Sequence, residues 1–255
     1  MKKTIQSEIL QNTPLTDDIF SMVLDAPHVA THAVPGQFVM AYLDRGEMIL
    51  PRPISICRTD GDTLTLVYQA VGAGTRYLAG LPPGYALRVT GPLGNGFALP
   101  GASGCAVKNT GRYAVVGGGI GTPPLLMLAE ALRSRGADVD AFLGFREAPI
   151  LQVEFEQLGT RTHIAVGAKP TVVDLFATAQ TAYDTVFACG PKGMLRALAL
   201  VCEGRCPLQV SMEERMACGV GTCVGCVTPT QDGYRKVCCQ GPVFDATKVD
   251  WGVGA

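Results

Sequence analysis

The sequence predicts an all-β part and an α/β part in one chain: an antiparallel β-barrel, a Rossmann-like parallel sheet, and a small C-terminal part. Three observations carry this prediction. Over roughly the first hundred residues, short apolar runs alternate with turn residues, as in antiparallel barrels. Strands, glycine-rich loops and helices then alternate, which is typical of a parallel sheet. Five of the ten cysteines fall in the last forty residues. The predicted parts are residues 1–105, 106–205 and 206–255.

The composition is that of an ordered globular protein. Of the 255 residues, 47% are hydrophobic and 17% are charged, and the formal net charge is -1. A charge balance of this kind provides no basic field for nucleic acid. No apolar run is long enough to cross a bilayer, and no signal-peptide core follows the N-terminal Met-Lys-Lys. We therefore expect a cytoplasmic protein that binds neither nucleic acid nor membranes.

The barrel prediction rests on short apolar runs with turns between them. Two examples are residues 38–42 and 64–68, and turn signals occur at residues 35–36 and 60–62. Short strands at this spacing are typical of antiparallel barrels. The glycine-containing segment at residues 91–96 is expected to be a loop near the end of the barrel.

The α/β prediction begins with a buried strand at residues 113–116. The loop at 117–121 contains four glycines and leads into a helix predicted at 123–135. A proline at position 124 is compatible with that helix only because it lies in the first turn. Two further strands and a helix are predicted at residues 141–145, 185–189 and 192–202.

Two loops of the α/β part have the chemistry of dinucleotide-binding loops. The amides of the first loop, and the helix that follows it, can attract a pyrophosphate. The second loop lies at the carboxyl end of a strand, where open parallel sheets bind ligands. Taken singly, a tight turn without a ligand and a buried apolar cysteine are the alternatives. The candidate residues are Gly117, Gly118, Gly119 and Gly121, with Cys189, Gly190 and Pro191.

Polar segments in the barrel are a second set of candidates. Arg52 and the hydroxyl of Ser55 flank a proline, a pairing that can hold a diphosphate and the edge of a flavin ring. Residues 68–70 and 72–75 add a polar and glycine-rich element further along the chain. The alternatives are a surface arginine beside an edge-strand proline and, for Tyr68, a place in the core.

The C-terminal cysteines have the spacing of a plant-type [2Fe–2S] loop. Cys218, Cys223 and Cys226 follow the pattern C-x4-C-x2-C, and a further cysteine stands at 238 or 239. Glycines between these residues let the backbone wrap closely around inorganic sulfide. A structural zinc site is the alternative, but zinc sites usually pair two C-x2-C motifs. Spacing alone leaves Cys238 and Cys239 equivalent as the fourth ligand.

Taken together, these motifs resemble the ferredoxin reductase superfamily. Within it, the segments at 211–223, 236–238 and 241–244 are similar to the electron-transfer subunits of bacterial type 1B dihydroorotate dehydrogenases. The resemblance covers residues 35–249 and implies a flavin-binding barrel, a nicotinamide-binding domain and a small [2Fe–2S] domain.

The resemblance also implies cofactors and their binding residues. It implies cluster ligands Cys218, Cys223, Cys226 and Cys238, the last chosen by its distance from the glycine at 241. It implies FAD bound by Arg52, Pro53, Ile54 and Ser55, by Tyr68, Gln69 and Ala70, and by Gly74 and Thr75.

The same resemblance implies a division of labour with an FMN-containing catalytic subunit, with two copies of each subunit in the working enzyme. Dihydroorotate chemistry takes place on the partner, whereas this chain exchanges a hydride between NAD(H) and FAD and transfers single electrons through the cluster. No catalytic residue is expected here. His28 and His32 are expected on a surface loop.

Three alternatives remain at the level of the sequence. The first is a subunit of a ferredoxin–NADP reductase or sulfide dehydrogenase complex, and the second is a stand-alone flavin reductase. The third, from another class, is a zinc-stabilised interaction module. Arg146 and Glu147 leave the choice between NADP(H) and NAD(H) open, while the resemblance favours NADH.

Overall fold

The computed structural model describes residues 2–44, 46, 48–99 and 110–252. These residues form a closed six-stranded barrel, a six-stranded mixed sheet and a two-stranded sheet. The predicted fold class is therefore confirmed. Among the helices of the described residues, none has the length and apolar character required to cross a bilayer.

The barrel is antiparallel and closes in the order β1-β2-β5-β4-β3-β6. Its core is apolar, with Leu24, Ile56 and Leu66 fully buried. The strands are β1 (Lys3–Pro14), β2 (Ile19–Asp25), β3 (Phe38–Ala41), β4 (Arg52–Asp60), β5 (Thr63–Gln69) and β6 (Ala86–Leu93), with helices α1 (Pro27–His32) and α2 (Ala73–Ala79) between them.

Two predictions for the barrel are wrong. The segment at 91–96 is not all loop, because its first three residues complete β6, where Gly91 pairs with Lys3 to close the barrel. His28 and His32 lie in α1 rather than on a loop, and the ring of the partly buried His28 stacks on that of the exposed His32, with centroids 4.5 Å apart.

The mixed sheet has the strand order β14-β11-β10-β7-β8-β9. Its strands run parallel except for β14, which is antiparallel to β11. The elements are β7 (Arg112–Gly118), α3 (Pro123–Arg133), β8 (Asp138–Phe145), α4 (Gln152–Gln157), β9 (Arg161–Val166), α5 (Val172–Thr178), β10 (Thr185–Cys189), α6 (Lys192–Cys202), β11 (Leu208–Ser211) and, later in the chain, β14 (Val243–Asp245).

The remaining elements follow the cysteine loop. They are β12 (Val227–Thr230), β13 (Gly233–Lys236), α7 (Val237–Gln240) and a short 3-10 turn, Ala246–Lys248. The short helix α7 carries both Cys238 and Cys239.

The predicted domain boundaries stay predictions. The boundary after residue 105 lies outside the described residues. The boundary after residue 205 does not coincide with an edge of the mixed sheet, because β11 and β14 both pair within it. The cysteine-rich part therefore begins and ends on strands of the same sheet as the nucleotide loops.

The barrel packs directly on the mixed sheet. Arg58 of β4 and Glu130 of α3 form an ion pair, with Nε and Oε1 2.7 Å apart. Phe97, which follows the barrel, meets Phe187 of β10 edge-on, with ring centroids 5.6 Å apart. Contacts of this kind fix the orientation of the barrel against the carboxyl ends of the parallel strands, so a ligand can touch both parts at once.

Candidate functional site

The two predicted nucleotide loops lie side by side. The predicted loop at 117–121 is not all loop, because Gly117 and Gly118 complete β7 and Gly119–Gly121 form a 3-10 turn. Strands β7 and β10 pair in parallel with Cys189 opposite Gly117, so both segments leave the sheet at neighbouring carboxyl ends. This is the switch point of the sheet, since the chain crosses from β7 to β8 on one side and returns to β10 on the other. The predicted crevice is therefore present.

Gly121 fixes how closely these loops approach. A Cβ placed on Gly121 would lie 2.5 Å from the carbonyl carbon of Cys189 and 2.6 Å from Cα of Gly190. Backbone atoms cannot rotate away as a flexible side chain can, so only glycine fits at this contact.

A cavity of about 230 Å³ opens between the barrel and this crevice. Its walls come from β4 and β5 of the barrel, from both nucleotide loops, and from the segment that leads from β11 to Cys218. The predicted residues that line it are Pro53, Ile54, Ser55, Tyr68, Gln69, Thr75, Gly121 and Cys189. The other predicted residues do not line it, namely Arg52, Ala70, Gly74, Gly117, Gly118, Gly119, Gly190 and Pro191.

Arg52 and Gly74 are nevertheless in direct contact. The guanidinium lies so close to Gly74 that a Cβ there would collide with it, and Nη1 donates to the Leu50 carbonyl oxygen at 2.5 Å. The amide of Ala70 donates to the Asp18 carbonyl oxygen at 2.7 Å. Arg52 is thus placed over the start of α2, beside Thr75 and the cavity.

Tyr68 satisfies both interpretations made from the sequence. Its ring belongs to the barrel core and also lines the cavity, and only 3% of the residue is exposed. The hydroxyl donates to Oδ1 of Asn12 at 3.0 Å. Burial raises the pKa of Tyr68 to about 12, so the phenol stays neutral and keeps this hydrogen bond.

The segment from β11 to Cys218 forms the third wall of the cavity, and no motif in the sequence predicts this position. Ser211, Met212, Glu213, Glu214 and Met216 line it, although they were noted only as part of a family motif. Their position follows from β11 pairing beside β10, which is a property of the sheet order. The apolar-to-polar change at the carboxyl end of β11 is the only local signal that could have indicated them.

The four predicted cluster ligands form two pairs of thiols. The Sγ atoms of Cys218 and Cys223 are 3.3 Å apart. Cys226 and Cys238 form the second pair, because the amide of Val237, next to Cys238, donates to the Cys226 carbonyl oxygen at 2.9 Å and both cysteines are buried. Within the described residues, no three His, Cys, Asp or Glu side chains are arranged to hold one metal ion. Two pairs suit two irons, each bound by two thiolates, better than a single tetrahedral zinc.

The backbone around the first pair favours thiolate. Burial raises the pKa of Cys218, but amide donors from Cys223, Val220 and Thr222 outweigh it, and the pKa falls to about 6. Donors of this kind stabilise negative charge on a ligating sulfur. In the second pair, burial and the neighbouring Cys226 thiol raise the pKa of Cys238 to about 12.

Two glycines shape the backbone of the cysteine loop, and a lysine of β13 hydrogen-bonds to it. Gly219 and Gly221 adopt left-handed φ values of 67° and 91°. A Cβ on Gly219 would lie 2.8 Å from Sδ of Met40 in the barrel, so the loop rests on β3. Nζ of Lys236 donates to the Gly221 carbonyl oxygen at 2.7 Å. The loop therefore already has the close-wrapped backbone that a cluster requires.

Cys238 and Cys239 differ sharply in their surroundings. Cys238 is 1% exposed and lies beside Cys226, whose carbonyl oxygen accepts from the Val237 amide, whereas Cys239 is exposed and its Sγ faces Gly221. Both residues border a second cavity of about 380 Å³ between the cysteine loop and the end of β6. The geometry favours Cys238 as the fourth ligand.

Comparison with known proteins agrees with these features. Residues 213–250 match the family model of the iron–sulfur cluster binding domain of dihydroorotate dehydrogenase B. The chain is 39% identical over 263 aligned positions to the dihydroorotate dehydrogenase B (NAD(+)) electron transfer subunit of Geobacillus sp. (strain WCH70), covering 98% of this chain and 99% of that protein. The subunit of the same name from Clostridium perfringens is 35% identical, covering 96% and 98%.

Solved structures share the architecture. The structure of an NADH-dependent reduced ferredoxin-NADP oxidoreductase, described for flavin-based electron bifurcation, superposes with a TM-score of 0.86 at 27% identity, covering 97% of this chain and 91% of that one. The cytochrome b5 reductase domain of Ulva prolifera nitrate reductase has a TM-score of 0.64 at 17% identity, covering 80% of this chain and 93% of that chain, which shows the fold alone.

Proposed function

The chain belongs to the family of dihydroorotate dehydrogenase B electron-transfer subunits, and from this premise we propose how its residues carry electrons between NAD(H) and a dihydroorotate-oxidising partner. It is an oxidoreductase subunit that uses FAD and an iron–sulfur cluster and works with the catalytic subunit. The rival ferredoxin–NADP reductase function has less support, since that neighbour is 27% identical and the curated relatives reach 39%.

One observation carries the assignment of the site. A single cavity is bounded by the barrel motif, by both nucleotide loops and by the segment that reaches Cys218. FAD, when bound there, exchanges two electrons with NAD(H) as a hydride and single electrons with the cluster. The protein contributes to this step by positioning FAD, NAD(H) and the cluster relative to one another.

Residues in and beside the cavity would bind different parts of FAD. Arg52, over the start of α2, would pair with the diphosphate of FAD, and its guanidinium reaches this place because position 74 is glycine. Ser55, Tyr68 and Gln69 line the cavity, where Ser55 and Gln69 would face the flavin ring and Tyr68 would pack against it.

NAD(H) enters from the sheet side. The loop at 117–121 and the residues Cys189, Gly190 and Pro191 hold it at the carboxyl ends of β7 and β10. Arg146 and Glu147 are exposed just beyond the end of β8, where Glu147 is placed to accept from a ribose hydroxyl.

The proposed cluster ligands begin close to the cavity. Met216 lines the cavity, and Cys218 is two residues further along the chain. Two residues span at most about 7 Å, so a cluster held by Cys218, Cys223, Cys226 and Cys238 would lie beside the cavity. No proton relay is required for this transfer.

The assembly and its location complete the proposal. Two copies of this chain combine with two FMN-containing catalytic subunits in the cytoplasm, and the three parts 1–105, 106–205 and 206–255 serve the flavin, the nicotinamide and the cluster. This arrangement supports a path in which the partner's electrons pass through the cluster and FAD to NAD+.

Dihydroorotate-dependent reduction of NAD+ tests the function. The chain is purified anaerobically with the subunit that co-purifies from its own cells, and NADH is followed at its absorption maximum. We expect activity only when both subunits are present. An intact complex with flavin and cluster but without this activity would contradict the partner assignment.

Arg52→Ala is expected to weaken FAD retention, because the diphosphate loses a charge-assisted contact of about 1.5–3 kcal/mol. Flavin content after gel filtration measures the loss, which corresponds to roughly ten- to hundredfold in affinity. Arg88→Ala is the matched control, since this arginine of β6 pairs with Asp44 outside the cavity. Unchanged flavin content in Arg52→Ala would contradict the assigned role.

A further inference from the structure

Lys236 connects the cysteine loop to the hairpin that follows it. In β13 it pairs with Val227, the residue after Cys226, and its amide donates to Oε1 of Gln240 in α7 at 2.9 Å. Its side chain reaches the loop, where Nζ donates to the Gly221 carbonyl oxygen at 2.7 Å. The backbone and the ammonium of this residue are therefore both fixed beside the proposed cluster ligands.

The ligand loop at 218–226 contains no Asp, Glu, His, Lys or Arg. Between its end and the fourth proposed ligand, the charged residues are Asp232, Arg235 and Lys236. Asp232 is exposed in the turn between β12 and β13. The side chain of Arg235 lies on the opposite face of β13 from that of Lys236, because successive side chains of a strand alternate. The positive charge that is bound to the loop is therefore that of Lys236.

A positive charge at this loop favours the reduced form of a cluster held by it. Four thiolates and two sulfides outweigh two ferric ions, so a [2Fe–2S] cluster is an anion, and its net charge is one of the factors that set its potential. Each electron that it accepts adds negative charge, which a nearby cation stabilises. Lys236 is half-buried, so salt screens its charge less than that of a fully exposed lysine.

We infer that Lys236 raises the reduction potential of the iron–sulfur cluster, through an ammonium that its hydrogen bond to Gly221 holds against the ligand loop. This inference rests on the proposed function, which assigns the cluster to four cysteines around that loop. A higher potential makes the cluster a better acceptor for electrons from the catalytic subunit. Each electron that enters from the partner later leaves for FAD, so no bond to Lys236 forms or breaks.

A purely structural role for Lys236 predicts a different result. The hydrogen bond also fixes the peptide after Gly221, whose φ of 91° favours glycine, so losing the bond would loosen the loop. Methionine and glutamate at position 236 both lose this bond and would loosen the loop alike. An electrostatic effect instead grows with each unit of charge removed. Lys236→Met and Lys236→Glu therefore separate the two roles.

The test measures the midpoint potential of the cluster. The full-length chain with its flavin and cluster is titrated with a reductant in the absence of dihydroorotate and NAD(H), and the reduced cluster is followed by electron paramagnetic resonance. We expect Lys236→Met to make one-electron reduction about tenfold less favourable, which is a fall of about 59 mV. Lys236→Glu should lower the potential further, whereas Lys236→Arg should preserve it because the charge and a donor remain.

Arg235→Met is the matched control for Lys236→Met. It removes the same charge one residue away, from the other face of β13. Its midpoint potential should change by much less than that of Lys236→Met. Iron and acid-labile sulfide are measured on every variant, so that potentials are compared between chains that hold the same cluster.

Three results would overturn the inference: an unchanged potential in Lys236→Met, equal shifts in Lys236→Met and Lys236→Glu, or an equal shift in Arg235→Met. If Lys236→Met does not assemble its cluster, Lys236→Gln provides the same test with a polar, uncharged side chain, and an unchanged potential there would count equally against the charge. An unaltered chain without a [2Fe–2S] signal would instead refute the cluster assignment in the proposed function.

Discussion

Cys223→Ser is expected to remove the iron–sulfur cluster while the chain keeps its FAD. The Cys223 sulfur lies 3.3 Å from that of Cys218, and its backbone amide also donates to the Cys218 sulfur. A serine hydroxyl remains protonated at neutral pH and cannot replace a thiolate, so one of the two pairs loses half of its ligands. Iron, acid-labile sulfide and the electron paramagnetic resonance of the reduced protein measure the loss, and flavin content is measured on the same sample.

The same variant separates the two electron-transfer steps. Its flavin should still be reduced by NADH, because no residue of the nucleotide loops or of β4 and β5 is altered. Electron exchange with the catalytic subunit should fall to background, since it passes through the cluster. Loss of FAD together with the cluster would contradict the separate placement of the two sites.

Cys239→Ser is the matched control for Cys223→Ser. Cys239 adjoins a proposed ligand but is exposed and lies outside both thiol pairs, so its variant should keep the cluster signal unchanged. Cys238→Ser should lose the cluster. The reverse result for these two variants would make Cys239 the fourth ligand.

Elements bounded by strong local signals could be predicted from the sequence. Strand β10 and helix α6 occur at the residues expected, since Gly190 and Pro191 end the one and begin the other. The segment at 91–96 shows the limit of local signals. Its glycine and proline indicate a loop, but the partner of Gly91 is Lys3, and that pairing depends on closure of the barrel.

In the candidate site, too, local patterns predict some of the residues and miss others. The cysteine spacing and the glycine loop are local patterns, and the structure places their residues together in pairs and in one crevice. The third wall of the cavity could not be predicted from a pattern, because Ser211 and Met216 reach it through the position of β11 beside β10. Sheet order is set by packing of distant segments, and no short motif encodes it.

Gly121→Ala is expected to slow the reduction of FAD by NADH strongly while leaving FAD bound. The added Cβ would lie 2.5 Å from the carbonyl carbon and oxygen of Cys189, so the two nucleotide loops must separate. A separation of about 1 Å at a hydride-transfer site costs roughly a hundredfold in rate. Anaerobic stopped-flow reduction by NADH measures this change, and dithionite reduction of the same sample shows that the flavin remains functional.

Gly80→Ala is the control that makes this result specific. Gly80 has an ordinary helical φ of -88°, and the nearest atom to its added Cβ would be a carbonyl oxygen at 3.6 Å, an ordinary contact. Its variant should keep both FAD and the NADH response, because a methyl group is accommodated there without movement. If Gly121→Ala kept a normal NADH response, the two loops would not form the nicotinamide site, and the hydride would have to enter the cavity from the barrel side.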